Sequence, residues 1–384
     1  MTIVIGMKED FGLEKAKLDE RDWLYVLTMI SGLGRKKIRE IFEITGSFQV
    51  AIENWHELAR QLRLTSLITR QVDKQSNEAS AIALLEKREE ERTRFLCPFD
   101  DTYPVSLRNI PDSPLTLFYR GDHTLLEKLS IGVVGSRKPT PYGRASCSFF
   151  VRELVQAGLV IVSGVAYGID AEAHQATLKA GGKTIGVLGC GMNHVYPSRH
   201  RELYREIESF GLLLSEYPPH IPPVSGLFPE RNRIISGLSI GVLVVEAAEK
   251  SGSLITADCA LEQGKEVFAI PGPIFSLMSA GPHNLIKQGA KLVTCSNDIW
   301  EEIKHHLPEA EQMQQVEKRK TNDVVPLSNE EKAIVEALTY DGIHLDELMS
   351  SLEKDQRRML HQLVIRLEAK GAIVALPGGY FARR

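Results

Sequence analysis

The chain has 384 residues, of which 43% are hydrophobic and 25% are charged, a composition that is typical of folded globular proteins and argues against disorder. The formal net charge of -4 excludes a strongly basic protein, so an anionic partner has to be bound by a local patch. The five cysteines are scattered and contain no C-x-x-C pair, which predicts reduced thiols rather than disulfides or a zinc site. No signal-peptide pattern and no membrane-spanning apolar run is present, so we expect a cytoplasmic protein without membrane contact.

The N-terminal region, residues 1–94, has the short apolar spacings of helices, and we expect a small helical domain there. Within it, residues 27–37 (LTMISGLGRKK) resemble a helix-hairpin-helix turn. The glycines of that motif let backbone amides approach a DNA phosphate. The alternative is a plain glycine-linked helix pair in which Arg35, Lys36 and Lys37 are simply solvated. A dense charge run marks the end of this domain.

Residues 95–305 alternate between short apolar runs and helical patterns, after a proline-rich lead-in with one short strand near residues 115–119. Near-continuous Val, Ile and Leu strands that alternate with helices indicate a parallel sheet covered on both faces. The predicted fold class is therefore α/β, with a Rossmann-like, doubly wound and mostly parallel sheet. Its strands are expected at Ile131–Val134, Val160–Val162, Thr184–Leu188, Leu212–Leu214, Ile240–Val245, Glu266–Ala269 and Lys291–Val293.

The C-terminal part of the chain changes in character twice. Residues 306–326 are polar and are predicted to be a linker. Residues 327–384 show three helical patterns followed by a two-stranded hairpin at Pro377-Gly378-Gly379, which is typical of a winged-helix-like domain. The alternative is a helical domain that docks a partner without contacting DNA.

The first predicted strand of the parallel sheet runs into Gly135-Ser136-Arg137-Lys138, and a helix is expected to begin near Tyr142. Backbone amides at such a turn can bind an anion, with Arg137 as a two-pronged donor and Lys138 as a nearby point charge. The dinucleotide fingerprint G-x-G-x-x-G is absent. The alternative is that Gly135 serves only the tight turn.

The second strand ends at Ser163-Gly164, and Gly168-Ile169-Asp170 opens the next helix. Because adjacent parallel strands end at one crevice, we expect this loop to share a ligand site with the first. Asp170 suits a cap for the helix amides. His174, one turn later, either supports Asp170 or packs under the loop, and no second ligand at metal-binding spacing accompanies it.

A third segment, residues 228–239 (FPERNRIISGLS), places an aromatic side chain beside two arginines and an asparagine. An aromatic plane next to guanidinium donors is how single strands are held without sequence readout. The alternative is a solvated helix start with the aromatic side chain tucked into the core. Further along, Ser253 and Thr256 suit another helix N-terminus. The candidate residues of the third segment are Phe228, Arg231, Asn232 and Arg233.

Five ordered segments resemble the DNA-processing protein A family (DprA, also called Smf), over roughly residues 103–293. They are GSRKPTPYG, SGVAYGIDAEAH, FPERNRIISGLS, KSGSLITA and ALEQGKEVFAIPG. The resemblance implies a Rossmann-like domain that binds single-stranded DNA and helps to load the RecA recombinase in bacterial natural transformation. It also implies a homodimer, and the terminal regions are similar to those of longer family members.

The resemblance implies DNA contacts residue by residue, and two positions depart from the family pattern. The second loop usually carries an arginine where this chain has Tyr167, and the third often has a basic residue where Glu230 stands. Either departure weakens phosphate attraction, although Tyr167 can stack on a base. The implied contacts are Gly135, Ser136, Arg137, Ser163, Gly164, Phe228, Arg231, Asn232 and Arg233, and Lys138 is added on charge alone.

The predicted function is therefore a non-catalytic single-stranded DNA binder that assists RecA, with no catalytic residue, metal or cofactor. The competing hypothesis is a nucleotide- or phosphosugar-binding Rossmann enzyme of the phosphoribohydrolase type. Those enzymes carry a P-G-G-x-G-T loop, whereas Pro377-Gly378-Gly379 of this chain lies in the tail hairpin. A third class, a purely structural interaction protein, leaves the Arg137 and Phe228 loops without a role.

Overall fold

The computed structural model describes residues 18–91, 93–306, 328–339, 342–352, 354–369, 372–376 and 378–383. They belong to two compact units, which divide between His306 and Leu307. All of the predicted linker except its first residue lies outside the described residues. The boundaries of the four predicted regions stay predictions. Within the described ranges, no helix is long and apolar enough to cross a membrane.

Between residues 18 and 91, six helices precede the sheet and pack around an apolar core that includes the fully buried Leu27 and Ile41. The first begins where it does because the Asp19 carboxylate accepts a hydrogen bond from the Asp22 amide at 2.8 Å. The second follows a loop in which Gly32 has a φ of 85°. These helices are α1 (Glu20–Thr28), α2 (Arg35–Thr45), α3 (Phe48–Glu53), α4 (Trp55–Gln61), α5 (Ser66–Gln75) and α6 (Glu78–Glu90).

The centre of the first unit is a nine-stranded sheet. The seven strands that the sequence predicts are all present and parallel, and each end lies within one residue of its expected position. The lead-in contributes two antiparallel strands rather than the one expected. The strands are β1 (Arg94–Leu96), β2 (Leu117–Gly121), β3 (Ser130–Val134), β4 (Val160–Ser163), β5 (Thr184–Leu188), β6 (Leu212–Ser215), β7 (Gly241–Val244), β8 (Glu266–Ala269) and β9 (Lys291–Leu292).

The strand order is β1-β2-β6-β5-β4-β3-β7-β8-β9. The chain runs outward from β3 to β6 and then returns to place β7 on the other side of β3. Open α/β sheets bind ligands at the carboxyl ends of the strands where the order reverses in this way. The accompanying helices are α7 (Val105–Arg108), α8 (Pro141–Gln156), α9 (Ile169–Lys179), α10 (Arg201–Phe210), α11 (Leu227–Leu238), α12 (Gly252–Glu262), α13 (Ala280–Lys287) and α14 (Ser296–Ile303).

In the described residues of the second unit, three helices and a small antiparallel sheet surround an apolar core, which includes the fully buried Leu348 and Leu360. The predicted sequence of three helices and a hairpin is confirmed, and a short additional strand, β10, pairs with the hairpin. Of the predicted hairpin turn, Gly378 and Gly379 have φ values of 86° and 82°, and Pro377 lies outside the described residues. The elements are α15 (Asn329–Ala337), β10 (Ile343–His344), α16 (Leu345–Ser351), α17 (Lys354–Ala369), β11 (Ile373–Leu376) and β12 (Tyr380–Arg383).

Candidate nucleic-acid interface

A cleft of about 530 Å³, which we call the switch-point cleft, opens at the carboxyl ends of the strands around β3. Its walls are the loops after β3, β4, β5, β6 and β7 and parts of α11 and α12. The structure thus brings together residues from Val134 to Thr256, which are far apart in the chain. Six of the ten predicted contact residues line it, namely Gly135, Ser136, Arg137, Phe228, Arg231 and Asn232.

Backbone hydrogen bonds fix the loop after β3 against both of its neighbours. The Ser136 amide donates to the Glu246 carbonyl at 2.6 Å, and the Ile169 amide donates to the Ser136 carbonyl at 3.0 Å. Gly168 has a φ of 82°, and a Cβ there would lie 2.2 Å from the Ser136 carbonyl oxygen. Glycine is therefore required at this position, because any side chain would push the first two loops apart.

The start of α8 is held by a carboxylate from the loop after β7. Glu246 accepts hydrogen bonds from the Thr140 amide at 2.8 Å and from its hydroxyl at 2.6 Å, while Thr140 itself caps the helix. A Cβ on Gly143 would lie 2.2 Å from a Glu246 carboxylate oxygen. Glu246 thus has a structural role in shaping the rim of the cleft.

Arg137 and Phe228 form the exposed, chemically distinctive part of the cleft. The Arg137 side chain is exposed, and its Cζ lies 5.9 Å from the centroid of the Phe228 ring, within the range of a cation–π contact. The Phe228 ring is half-buried at the wall rather than tucked into the core, and its centroid lies 5.1 Å from that of Tyr196. Tyr196 is 44% exposed. The cleft therefore presents aromatic planes beside a free guanidinium.

Tyr167, which stands where the family usually has an arginine, also lies at this surface. It is 42% exposed and packs edge-on against His200, with the ring centroids 5.0 Å apart. It lines a small adjoining recess together with Gly164, Arg137 and Phe228. The departure thus places a further exposed aromatic ring beside the cleft where the family usually has a cation.

Arg231 is buried in the floor of the cleft. Its guanidinium donates to the Val187 carbonyl and lies so close to Gly164 that a Cβ there would be 2.4 Å from Nη2. Burial raises the pKa of the Asp170 carboxyl, and the positive charge of Arg231 opposes that rise. Burial likewise lowers the pKa of Arg231, which Asp170 counteracts. Arg231 is a fixed buried charge beneath the cleft rather than a mobile phosphate clamp.

Asn232 and Arg233 follow Arg231 on α11 but have different surroundings. The Asn232 amide nitrogen donates to the Gly252 carbonyl at 3.2 Å, which ties α11 to the start of α12. Arg233 points away from the cleft and is buried, where it contacts Glu216 at 2.5 Å and Asp112 at 3.4 Å. Its guanidinium is engaged by carboxylates, so the geometry gives no support to the predicted phosphate contact of Arg233.

The remaining predicted contacts lie beside the cleft rather than in its lining. The Ser163 hydroxyl is fully buried and donates to the Val133 carbonyl at 2.6 Å. Gly164 packs against Arg231 and reaches only the adjoining recess. Lys138 is exposed, and its amide donates to the Ser136 hydroxyl at 3.0 Å. Direct DNA contacts at these three residues stay predictions.

Two expectations about the second loop are resolved by the structure. Gly168, not Asp170, occupies the capping position of α9, and the Asp170 carboxylate instead accepts from the Ala166 amide at 3.4 Å. The capping prediction for Asp170 is therefore wrong. His174 packs under the loop, where its Nδ1 lies 2.7 Å from the Thr184 hydroxyl. Among the described residues, no group of three or more His, Cys, Asp or Glu could hold a metal ion.

Sequence reasoning missed two contributors to the cleft. Ser251, rather than Ser253 or Thr256, caps α12, because its hydroxyl accepts from the Ser253 amide at 3.4 Å, and it also lines the cleft. Tyr196 lies in an irregular loop after β5. Its only sequence signal was its position beyond the end of a strand, where ligand-binding loops of such sheets occur.

The helix–loop–helix at residues 28–35 contacts the same unit through ion pairs. Arg35 contacts Asp112 at 2.9 Å and Glu230 at 2.5 Å, so the alternative in which it is simply solvated is wrong. Lys37 pairs with Glu40 at 2.7 Å. Glu230, the second departure from the family pattern, is thus the partner of an arginine on α2. Contact of this turn with DNA stays a prediction.

The family model for DNA recombination-mediator protein A matches residues 94–304 of the chain. The chain belongs to this family. The match covers the nine-stranded sheet and every residue of the switch-point cleft. It confirms the resemblance that the five sequence segments indicate.

Relatives in the DNA recombination-mediator protein A family are similar to this chain over half of its length or more. DNA processing protein DprA of Bacillus subtilis is 51% identical over 202 residues, which are 52% of this chain and 68% of that protein. Protein Smf of Escherichia coli is 37% identical over 361 residues, which are 91% of this chain and 95% of that protein. The alignment to the second protein therefore includes both terminal regions.

Two solved structures of this family are similar in fold. DprA from Streptococcus pneumoniae superposes with a TM-score of 0.65 at 37% identity, covering 74% of this chain and 99% of that chain. DNA processing protein A from Helicobacter pylori, solved to study its single-stranded DNA binding mode, gives a TM-score of 0.51 at 30% identity, covering 56% and 98%. The predicted fold class is confirmed.

Proposed function

We propose that the chain binds single-stranded DNA in the switch-point cleft and mediates recombination without catalysing a reaction itself. The observation that carries this proposal is the exposed Arg137 guanidinium over the Phe228 ring, with Tyr196 beside it. Aromatic faces stack on bases of any sequence, and guanidinium groups pair with phosphates. The Ser251 and Ser253 hydroxyls at the start of α12 line the same cleft, where a helix N-terminus attracts anions.

The protein partner in this proposal is the RecA recombinase, which the chain loads onto incoming DNA in natural transformation, acting as a cytoplasmic homodimer. The description of its family as recombination mediators supports this, as does the single-stranded DNA binding of the Helicobacter pylori relative. RecA-catalysed ATP hydrolysis on strands precoated with single-strand binding protein tests the loading step. We expect the purified protein to shorten the lag, and an unchanged lag contradicts the RecA assignment alone.

The enzyme alternative rests on the size of the cleft, since about 530 Å³ also suits a nucleotide. Among the described residues that line the cleft, Asp170 is the acidic side chain, and it is buried beside Arg231. A buried carboxyl in that position is poorly placed to attack a phosphosugar. Incubation with nucleoside monophosphates separates the two functions, because release of free base contradicts a non-catalytic role.

The binding proposal is tested by the affinity of the protein for a labelled dT20 strand and for a duplex of the same length, measured by fluorescence anisotropy across a salt titration. We expect preference for the single strand. Arg137→Ala is expected to weaken binding. It is also expected to reduce the magnitude of the slope of log K against log salt by about 0.7, because one phosphate contact fewer means that fewer counterions are released on binding.

Arg152→Ala is the matched control, because it removes the same charge from an exposed position on α8 that does not line the cleft. We expect this variant to bind dT20 like the parent protein, with an unchanged salt slope. Equal effects of the two substitutions would show that only net charge matters and would reject the assigned site.

A further inference from the structure

The loop between β8 and α13, residues 270–279, holds large apolar side chains almost entirely in solvent. Ile274 is 79% exposed, Phe275 is 94% exposed and Leu277 is 78% exposed, larger fractions than for any other large apolar side chain in the described part of the chain. Burial of such side chains is favourable, so three of them in one exposed loop mark a surface for a ligand or partner.

This exposure occurs on a loop whose backbone is firmly held. The Tyr142 hydroxyl donates to the Pro271 carbonyl at 2.6 Å, and the Ala247 amide donates to the Met278 carbonyl at 2.8 Å. The Met278 sulfur also lies 3.3 Å from the Ser136 hydroxyl. The backbone that carries the apolar side chains is therefore held near both ends of the loop, which lowers the entropy cost of ordering the loop on binding.

The loop continues the rim of the switch-point cleft. It follows β8, two strands from β3, and through Met278 it touches Ser136 of the loop that carries Arg137. Neighbouring strands lie about 4.8 Å apart, so the rim from the end of β5, near Tyr196, to the end of β8 spans roughly 19 Å. A stacked single strand advances about 3.4 Å per nucleotide, so about six nucleotides cover this distance.

We propose that the loop after β8 extends the single-strand site, with Phe275 stacking on a base that lies beyond the cleft. This inference rests on the proposed function. The exposed charges on the intervening turn, Glu249 and Lys250, cancel formally, so phosphate attraction there is weak. An exposed ring fits this gap because stacking is independent of both charge and base identity.

The test measures affinities of the full chain for strands from dT4 to dT24. For the parent protein we expect affinity to keep rising with length past the strand that fills the cleft. Phe275→Leu is expected to weaken dT20 binding about tenfold while leaving dT4 binding unchanged, since it keeps the apolar bulk but removes the ring. Phe275→Trp is expected to retain tight dT20 binding.

The outcomes separate this inference from the proposed function. Unchanged dT20 affinity in Phe275→Leu, under conditions where Arg137→Ala weakens binding, overturns the role of the loop alone. Absence of single-strand binding by the parent protein overturns the proposed function and with it this inference. A change in molar mass of Phe275→Leu by light scattering, without a change in DNA affinity, assigns the loop to self-association and also overturns the proposal.

Discussion

Three arginines that the sequence treats alike have three different environments. Arg137 is exposed over an aromatic ring, Arg231 is buried beneath Gly164, and Arg233 is buried against Glu216 on the far side of α11. An arginine contributes to strand binding through phosphate contact only if its guanidinium is free to reach the solvent. At the residue scale, we therefore expect exposure to separate Arg137, which can reach a phosphate, from the two buried arginines, which stabilise the fold.

Arg233→Ala is expected to lower the free energy of unfolding by about 3 kcal/mol, because it leaves the Glu216 carboxylate buried with a weakened set of partners. Burial already raises the pKa of Glu216, and Arg233 is the largest of the charges that oppose the rise. Urea unfolding followed by tryptophan fluorescence measures the change.

Arg233→Met combined with Glu216→Leu is the informative comparison for that variant. Replacing both members of a buried ion pair by apolar groups is often close to neutral, so we expect most of the stability to return. Stable Arg233→Ala protein with a dT20 affinity reduced as strongly as in Arg137→Ala would instead restore Arg233 as a DNA contact.

The sequence alone could show that the side chains of Arg231 and Arg233 point to different sides of the helix. Residues two apart on an α-helix point about 200° apart around its axis, so both side chains could not face one cleft. The sequence could not decide which of the two side chains faces the cleft. That depends on Glu216 and Asp112, which reach α11 from distant parts of the chain.

At the scale of elements, the cleft depends on close backbone contact between the loops after β3 and β4. Gly168→Ala is expected to lower stability by more than 2 kcal/mol and to weaken dT20 binding, because its Cβ would meet backbone atoms of Ser136 and Arg137 in addition to the strain of a positive φ. Thermal unfolding and the anisotropy assay measure the two effects.

Gly181→Ala is the control for the backbone strain at Gly168. Gly181 also has a positive φ, 71°, but nothing lies within 4 Å of the Cβ position. We expect a cost of about 1 kcal/mol from the left-handed conformation and unchanged DNA affinity. A Gly168→Ala variant no more affected than Gly181→Ala would show that the two loops are not held by this contact.

The parallel strands were predictable and the packing of the loops was not, for one physical reason. A buried parallel strand such as β5 needs a continuous apolar run, which is visible in the sequence as such. The positions of Tyr196 and Phe275 depend on hydrogen bonds and packing between loops that are far apart in the chain. The sequence could therefore place the cleft at the ends of β3 and β4 but could not identify these two rings.

At the scale of the whole molecule, a polar side chain lies deep inside the first unit. His174 is fully buried, and its Nδ1 lies 2.7 Å from the Thr184 hydroxyl, which itself donates to the Ile161 carbonyl. The Thr184 hydroxyl proton is thus used, so Nδ1 must donate, and Nε2 has no hydrogen-bond partner among the described residues. A second proton on this ring would be a buried charge without compensation, and burial lowers the pKa of His174 to about 3.

Stability of the first unit is therefore expected to fall with acidification below the ordinary histidine pKa. Between about pH 6.5 and the folded-state pKa of about 3, the unfolded chain binds a proton at His174 that the folded chain does not, so unfolding is favoured as the pH falls. The contribution of His174 at pH 5, relative to pH 7.5, is a loss of about 2 kcal/mol.

The comparison with His174→Asn isolates this contribution, because asparagine keeps a donor toward Thr184 but does not titrate. Burial raises the pKa of Asp170 and Glu216, so these carboxyls act in the opposite sense, and their effect is common to both proteins.

All three tryptophans, Trp23, Trp55 and Trp300, lie in the first unit, so urea unfolding followed by their fluorescence reports on that unit alone. We expect the stability difference between pH 7.5 and pH 5 to be about 2 kcal/mol smaller in the variant. Equal differences in the two proteins would mean that His174 is protonated in the folded state at pH 5, and hence that water reaches Nε2 inside the unit.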